Sequence, residues 1–259
     1  MSSSFGVLII GDEILSGRRS DKHLARAIEL LGERGIPLAW ARYCGDDRPR
    51  LIETLRQTFA TGDIVFSFGG IGATPDDHTR QAAAAAAGVE LALHAEAETA
   101  IRERFGAETT PLRLAMGEFP AGSDIIPNPY NGIPGFALRD HYFLPGFPQM
   151  SWPMMAWVLD THYRALHHAR AYTEDSICVF EARESDLIDL MRTLEARFGV
   201  TVFSLPTLGG ERGRRLIELG AKGEPMAVIE AMRVMRDTVT ERGYEWHEGA
   251  MLDEADLPR

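Results

Sequence analysis

Cysteine is scarce. The 259-residue chain has two, Cys44 and Cys178, which form neither a disulfide framework nor a metal-ligand motif and suit a reducing cytoplasm. Positive charge is also short: 27 Lys and Arg stand against 38 Asp and Glu, for a net charge of −11. That balance argues against broad, sequence-independent nucleic-acid binding, which needs a positive surface. No apolar run approaches the ~20 residues of a membrane helix. Met1-Ser2-Ser3-Ser4 lacks the basic and apolar regions of a secretory leader. A cytoplasmic protein that neither crosses a membrane nor binds nucleic acid is expected. The hydrophobic fraction of 45% excludes disorder and allows a sizeable core.

Against these absences stand strands alternating with helices. Phe5–Ile10, Ile36–Tyr43 and Asp63–Phe68 are predicted strands. Asp21–Arg34, a segment opened by Pro49, Thr79–Ala87 and Ala95–Phe105 are predicted helices, the first with Leu24, Ala27, Ile28 and Leu31 on its apolar face. Short loops between them imply βαβ units and a parallel sheet. Thr109–Pro148 is rich in Pro and Gly and holds a hairpin over Ala137–Leu144, and Met150–Leu166 is a long helix interrupted at Pro153. Beyond about residue 168 the order is strand, helix, hairpin, helix, which sets the division at 1–168 and 169–259. The hairpin turn contains Gly210-Glu211-Arg212-Gly213, which matches a GxxG pattern but reads as a turn.

Acidic residues follow each of the first three strands: Asp12 and Glu13, then Asp46 and Asp47, then Asp76 and Asp77. The carboxyl ends of strands in an open parallel sheet share one edge, where ligands bind. The third loop, Gly69-Gly70-Ile71-Gly72-Ala73-Thr74-Pro75-Asp76-Asp77, adds a glycine turn before a helix expected to start near Thr74. Gly69, Gly70, Gly72 and Thr74 are therefore candidates to cradle phosphate through N–H groups and a hydroxyl, and Asp77, Asp46 and Asp76 to hold a divalent cation. The turn has no Gly-Lys-Ser/Thr, and Pro75 stands where a dinucleotide fingerprint needs glycine. Thr74 and Asp77 also fit a helix-capping pattern. Asn128, Asn131 and their neighbouring prolines line a pocket or simply make turns. Arg18, Arg19 and Lys22 meet phosphate or solvent. His162, His167 and His168 do not share one helix face and are expected at a solvated helix end.

Several of these segments resemble one family. Gly11-Asp12-Glu13-Ile14-Leu15-Ser16-Gly17 is similar to GDELLxG, Gly45-Asp46-Asp47 to GDD, and Gly69–Thr79 to GGLGPTxDDxT. Asn128–Phe136 is similar to NPxGxAPGF, and Leu144-Pro145-Gly146-Phe147-Pro148 to LPGxP. The family is the molybdopterin-binding fold of MogA, MoaB, MoeA and gephyrin, in its CinA-like branch, here without the C-terminal deamidase domain.

The resemblance implies a three-layer α/β fold with a mostly parallel sheet, followed by a small α+β domain of KH-like type. It implies Asp77 and Asp46 as catalytic and, with Asp76, cation-binding residues. Asp12, Glu13, Asn128, Pro145 and Gly146 join the glycine turn as ligand-binding candidates. The implied chemistry is cleavage of an ADP-ribose-type nucleotide diphosphate with Mg²⁺, Mn²⁺ or Co²⁺. The alternative is a non-catalytic module holding molybdopterin or a related pterin, linked to molybdenum cofactor biosynthesis. Homo-oligomers are expected. The chain departs from the pattern at Asp21-Lys22-His23 in place of DTN, at Phe68 in place of Thr, and at Ala73 in place of Pro. These changes are expected in the ligand pocket, with two added cationic residues.

Overall fold

The computed structural model describes residues 4–169, 172–207 and 215–249. The chain forms two compact units, Met1–His167 and His168–Arg259. In the first, the elements run β1 (Phe5–Ile10), α1 (Asp12–Leu15), α2 (His23–Gly32), β2 (Leu38–Cys44), α3 (Arg48–Phe59), β3 (Ile64–Phe68) and α4 (Thr79–Ala87). There follow β4 (Leu91–Leu93), α5 (Ala95–Phe105), α6 (Pro111–Leu114), β5 (Glu118–Pro120), β6 (Asp124–Ile126), β7 (Gly135–Leu138), β8 (His141–Leu144) and α7 (Pro148–His162).

Six strands form one sheet in the order β2-β1-β3-β8-β7-β6. The β2-β1-β3-β8 pairs are parallel, and β7 is antiparallel to both neighbours. Alternation along β1 explains its unbroken apolar run. Phe5, Val7 and Ile9 pack under α2 and α7, while Leu8 and Ile10 pack against α3 and α4 on the other face. A strand buried on both faces has no polar side. The three-layer expectation therefore holds. Chain order and strand order part company at β1, where α2 leads to one neighbour and α3 to the other, a crossing that opens a crevice at the strand ends.

Several boundaries differ from the sequence reading. The helix after the glycine turn starts at Thr79, so Thr74–His78 is loop. The last carboxylates of that segment therefore shape a loop rather than a first helical turn. Helix α7 runs through Pro153, which lies on its exposed side where water can reach the carbonyl that loses its partner. Ile28 is 50% exposed, and Leu30 takes its place in the core.

In the second unit, β9 (Thr173–Phe180), β10 (Thr201–Thr207), β11 (Leu216–Gly223) and β12 (Trp246–Glu248) form an antiparallel sheet in the order β10-β11-β9-β12. Helices α8 (Ile188–Phe198) and α9 (Pro225–Glu241) supply Leu190, Leu194, Met232 and Met235 to its core. The Gly210–Gly213 turn lies outside the described residues. Among the described residues, no helix is long and apolar enough to cross a membrane.

Phe119, Phe136 and Phe143 form a stacked series within the first core, with centroids 4.9 and 4.4 Å apart. Phe143 is fully buried, so Phe143→Ala should cost about 3–5 kcal/mol. Urea unfolding read by hydrogen exchange of the first unit's amides measures this; an unchanged midpoint would show the series to be energetically idle.

Candidate functional site

Register brings the strand ends together. Ile10 pairs with Cys44, Ile9 with Phe68, and Phe68 with Leu144. Gly135, at the start of β7, pairs with Ile126, at the end of β6, so the 127–134 loop joins the same edge. These loops enclose a cavity of about 420 Å³. Every candidate from the sequence except Asp12 borders it: Glu13, Asp46, Gly69, Gly70, Gly72, Thr74, Asp76, Asp77, Asn128, Pro145 and Gly146. Arg19 also borders it and Arg18 and Lys22 do not.

The glycine turn is shaped by close approach. Gly69 has φ +105°, and a Cβ there would lie 2.3 Å from the Ile10 carbonyl oxygen. Gly70 has φ +69°, with Thr79 Oγ1 2.2 Å from where a Cβ would stand. Only glycine combines that φ with that proximity. The carbonyls are claimed from the first turn of α4. Thr79 donates its hydroxyl to Gly69 O at 3.0 Å and its N–H to Gly70 O at 3.0 Å, and Arg80 donates to Gly72 O at 2.6 Å. Gly69 N–H is spent on Leu144 O, so it is not available to a ligand. The N–H groups of Gly70, Ile71, Gly72 and Ala73 have no partner among the hydrogen bonds of the described residues. Four successive unpartnered donors thus border the cavity, an arrangement, or nest, of the kind that can take an anion.

Arg80 is a residue that motif reading passes over. It is 3% exposed, and its guanidinium also donates to Glu118 O at 3.1 Å and to Ala115 O. Burial lowers its pKa, against the opposing pull of Glu118 and Asp77. Its planar fork, rather than its charge, fixes the loop. The one sequence signal was a lone cation beside an alanine run.

Asp77 turns back on its own loop. Its Oδ2 accepts from Thr74 N–H at 2.8 Å and from the Thr74 hydroxyl at 2.5 Å, while Oδ1 takes no hydrogen bond from the described residues. Thr74 and its own N–H also hold the exposed Asp76 carboxyl below the usual carboxylate range. Asp12 and Asp46 lock β1 to β2 reciprocally: Asp12 N–H donates to Asp46 Oδ2 at 2.9 Å, and Asp46 N–H to Asp12 Oδ1 at 3.2 Å. Asp47 caps α3 by accepting from Arg50 N–H. Asp46 is half-buried, and its pKa is raised, first by desolvation and then by the charges of Asp12, Glu13 and Asp76, despite the bond from Asp12 N–H.

Of the motif departures, His23 and Phe68 are buried and Lys22 is exposed. Phe68 is 1% exposed and stacks on His23 with centroids 4.7 Å apart. The His23 ring lies 3.2 Å from Gly146 O through Nε2 and 3.4 Å from Ser151 Oγ through Nδ1. Burial lowers its pKa, more than Gly146 O and Asp21 restore. His23 is therefore a neutral strut at neutral pH and adds no cation. Ala73 alone of the departures borders the cavity. Asn128 is consumed by its own turn, donating to Asn131 Oδ1 and Ile133 O and accepting from Tyr130 N–H.

The model of the family described as "Probable molybdopterin binding domain" matches residues 6–166. The chain belongs to this family. The match ends within the first unit. The chain is 38% identical over 136 residues to a CinA-like protein of Anaeromyxobacter sp. (strain Fw109-5), covering 51% of this chain and 33% of that protein. It is 30% identical over 238 residues to a CinA-like protein of Escherichia coli O17:K52:H18, covering 87% and 56%. It thus spans between a third and about half of these curated relatives. Among solved structures, CinA of Thermoplasma acidophilum, described as of unknown function, superposes with a TM-score of 0.57 at 28% identity, over 61% of this chain and 97% of that one.

Asp46 has a raised folded-state pKa, so the protein is stabilised while Asp46 stays protonated and loses that stability as pH rises through the raised pKa. Asp46→Asn keeps an oxygen for Asp12 N–H and removes the charge. It should raise the thermal midpoint of the ligand-free protein at neutral pH, and the difference should close on acidification. A variant less stable at neutral pH would contradict this account.

Proposed function

We propose that the molybdopterin-binding-type unit binds a small molecule carrying a diphosphate, together with a divalent cation, and hydrolyses the diphosphate linkage. One observation carries the reading. The free N–H groups of Gly70–Ala73 line the same cavity as four carboxylates, Glu13, Asp46, Asp76 and Asp77, with Arg19 the one basic side chain on its wall. Such a wall attracts phosphate at the nest and repels it elsewhere, unless a cation arrives with the ligand.

The donor set supports a shared cation rather than a resident one. Among the described residues, no three of His, Cys, Asp and Glu form a group able to hold a metal ion. Mg²⁺ and similar ions are commonly held by one or two carboxylates plus substrate phosphates, and Asp76 and Asp77 would fill that role, leaving Asp46 to the attacking water. When bound, the cation would offset charge on the phosphoryl oxygens. The nest would orient the diphosphate, and Asp46, on the same cavity wall, would accept a proton from the attacking water.

Mn²⁺-dependent hydrolysis of ADP-ribose tests this. Asp46→Asn should lower kcat by about 100-fold or more. In the wild type, kcat/KM should fall on acidification as Asp46 takes up a proton. Full turnover by either Asp46→Asn or Asp77→Asn would remove those residues from the chemistry.

A second reading, pterin binding without turnover in molybdenum cofactor biosynthesis, is favoured by the engagement of Asp77 Oδ2 with Thr74. Under it, a pterin diphosphate at 100 times its Kd stabilises the protein by about 2.7 kcal/mol, and ADP-ribose is left uncleaved.

A further inference from the structure

The sheet edge is chemically graded. Sheet order places the loops of β2, β1 and β3, which carry Asp46, Glu13, Asp76 and Asp77, on one side. The 127–134 loop, the loop after β8 and the first turn of α7 follow on the other side and contribute Asn131, Ile133, Phe147 and Met150 to the same cavity, with no charged side chain among the described residues. A ligand lying along this edge meets charge first and apolar surface last.

Phe147 stands out on the apolar side because its backbone is fixed while its ring is not covered. Its carbonyl accepts from Met150 N–H and Ser151 N–H at 2.9 Å each, and from Ser151 Oγ at 3.1 Å. Pro148 follows it at the start of α7, and the preceding Gly146 O is held by His23. Yet the residue is 57% exposed. A single exposed aromatic is ordinary on a protein surface; one on a cavity wall with a pinned backbone has already lost the freedom that binding would otherwise remove. Nearby, Asn131 spends its Oδ1 on Asn128 Nδ2 and Ile133 N–H, while its Nδ2 faces only the Met150 sulfur at 3.6 Å. A thioether is a weak acceptor, so this amide has a donor to give.

We propose that Phe147, with Asn131 and Met150 beside it, is the specificity-determining platform of this chain. It stacks a planar heteroaromatic ring that carries hydrogen-bond acceptors and is joined to the diphosphate end. This rests on the diphosphate reading above and adds the recognition of the other end of the ligand. Neither the LPGxP resemblance, whose x position is Phe147, nor the acidic motifs predict it.

Calorimetric titration of the full chain with Mn²⁺ and three probes separates the claims. The probes are inorganic pyrophosphate, ADP-ribose and 6-hydroxymethyldihydropterin diphosphate, each as its uncleavable methylene-bridged analogue. Phe147→Ala should weaken the better-bound ring-bearing probe by about tenfold or more and leave pyrophosphate unchanged, while Phe147→Trp should retain ring binding. The preferred ring decides between purine and pterin. Because the side chain is exposed, the ligand-free thermal midpoint of each variant should match the wild type. Equal ring-probe affinity in Phe147→Ala and wild type, or an equal loss for pyrophosphate, would overturn the platform. So would ring-bearing probes binding no tighter than pyrophosphate, with the diphosphate reading left standing. Binding of none of the three would remove both.

Discussion

The site depends on three carbonyls being held away from the cavity. Left free, the oxygens of Gly69, Gly70 and Gly72 would compete with N–H groups for the cavity wall and cancel their attraction for an anion. Thr79 and Arg80 claim all three from one turn of helix. The cost is a guanidinium buried with main-chain oxygens and, among the described residues, no carboxylate in direct contact. The N–H groups of the main chain are therefore left as the donors on this part of the wall.

That arrangement faces a surplus of negative charge. Asp46 shows the tension most clearly. It is partly withdrawn from water, surrounded by like charge, and tied to Asp12 across two strands. A carboxylate placed in this way makes the protein less stable at neutral pH than it would otherwise be. The unpartnered N–H groups and the carboxylates border one cavity, the first on the β3 loop and the second on the loops of β1, β2 and β3.

Much of the layout was legible before any coordinates. Glycines at strand ends, apolar runs without a polar face and acids after three successive strands pointed to a parallel sheet with a loaded edge, because those patterns follow from burial and backbone sterics. What escaped was the use to which each atom is put. Gly69 and Gly70 look alike in sequence, but register with β8 takes the N–H of one and leaves the other. Asn128 and Asn131 look alike, yet one is closed within its turn. Arg80 has no motif, and Phe147 sits where a pattern records any residue. Such distinctions come from partners distant in the chain, which spacing does not encode.

The stack of His23 on Phe68 bears on how differences from the family pattern are counted. They lie 45 positions apart in the chain and would be tallied as separate departures. In space the two rings share a face, and the histidine also braces Gly146 and Ser151. Exchanging either one alone would leave an aromatic ring without its neighbour under the binding loops. The two positions thus share one contact, and a substitution at either changes the surroundings of both.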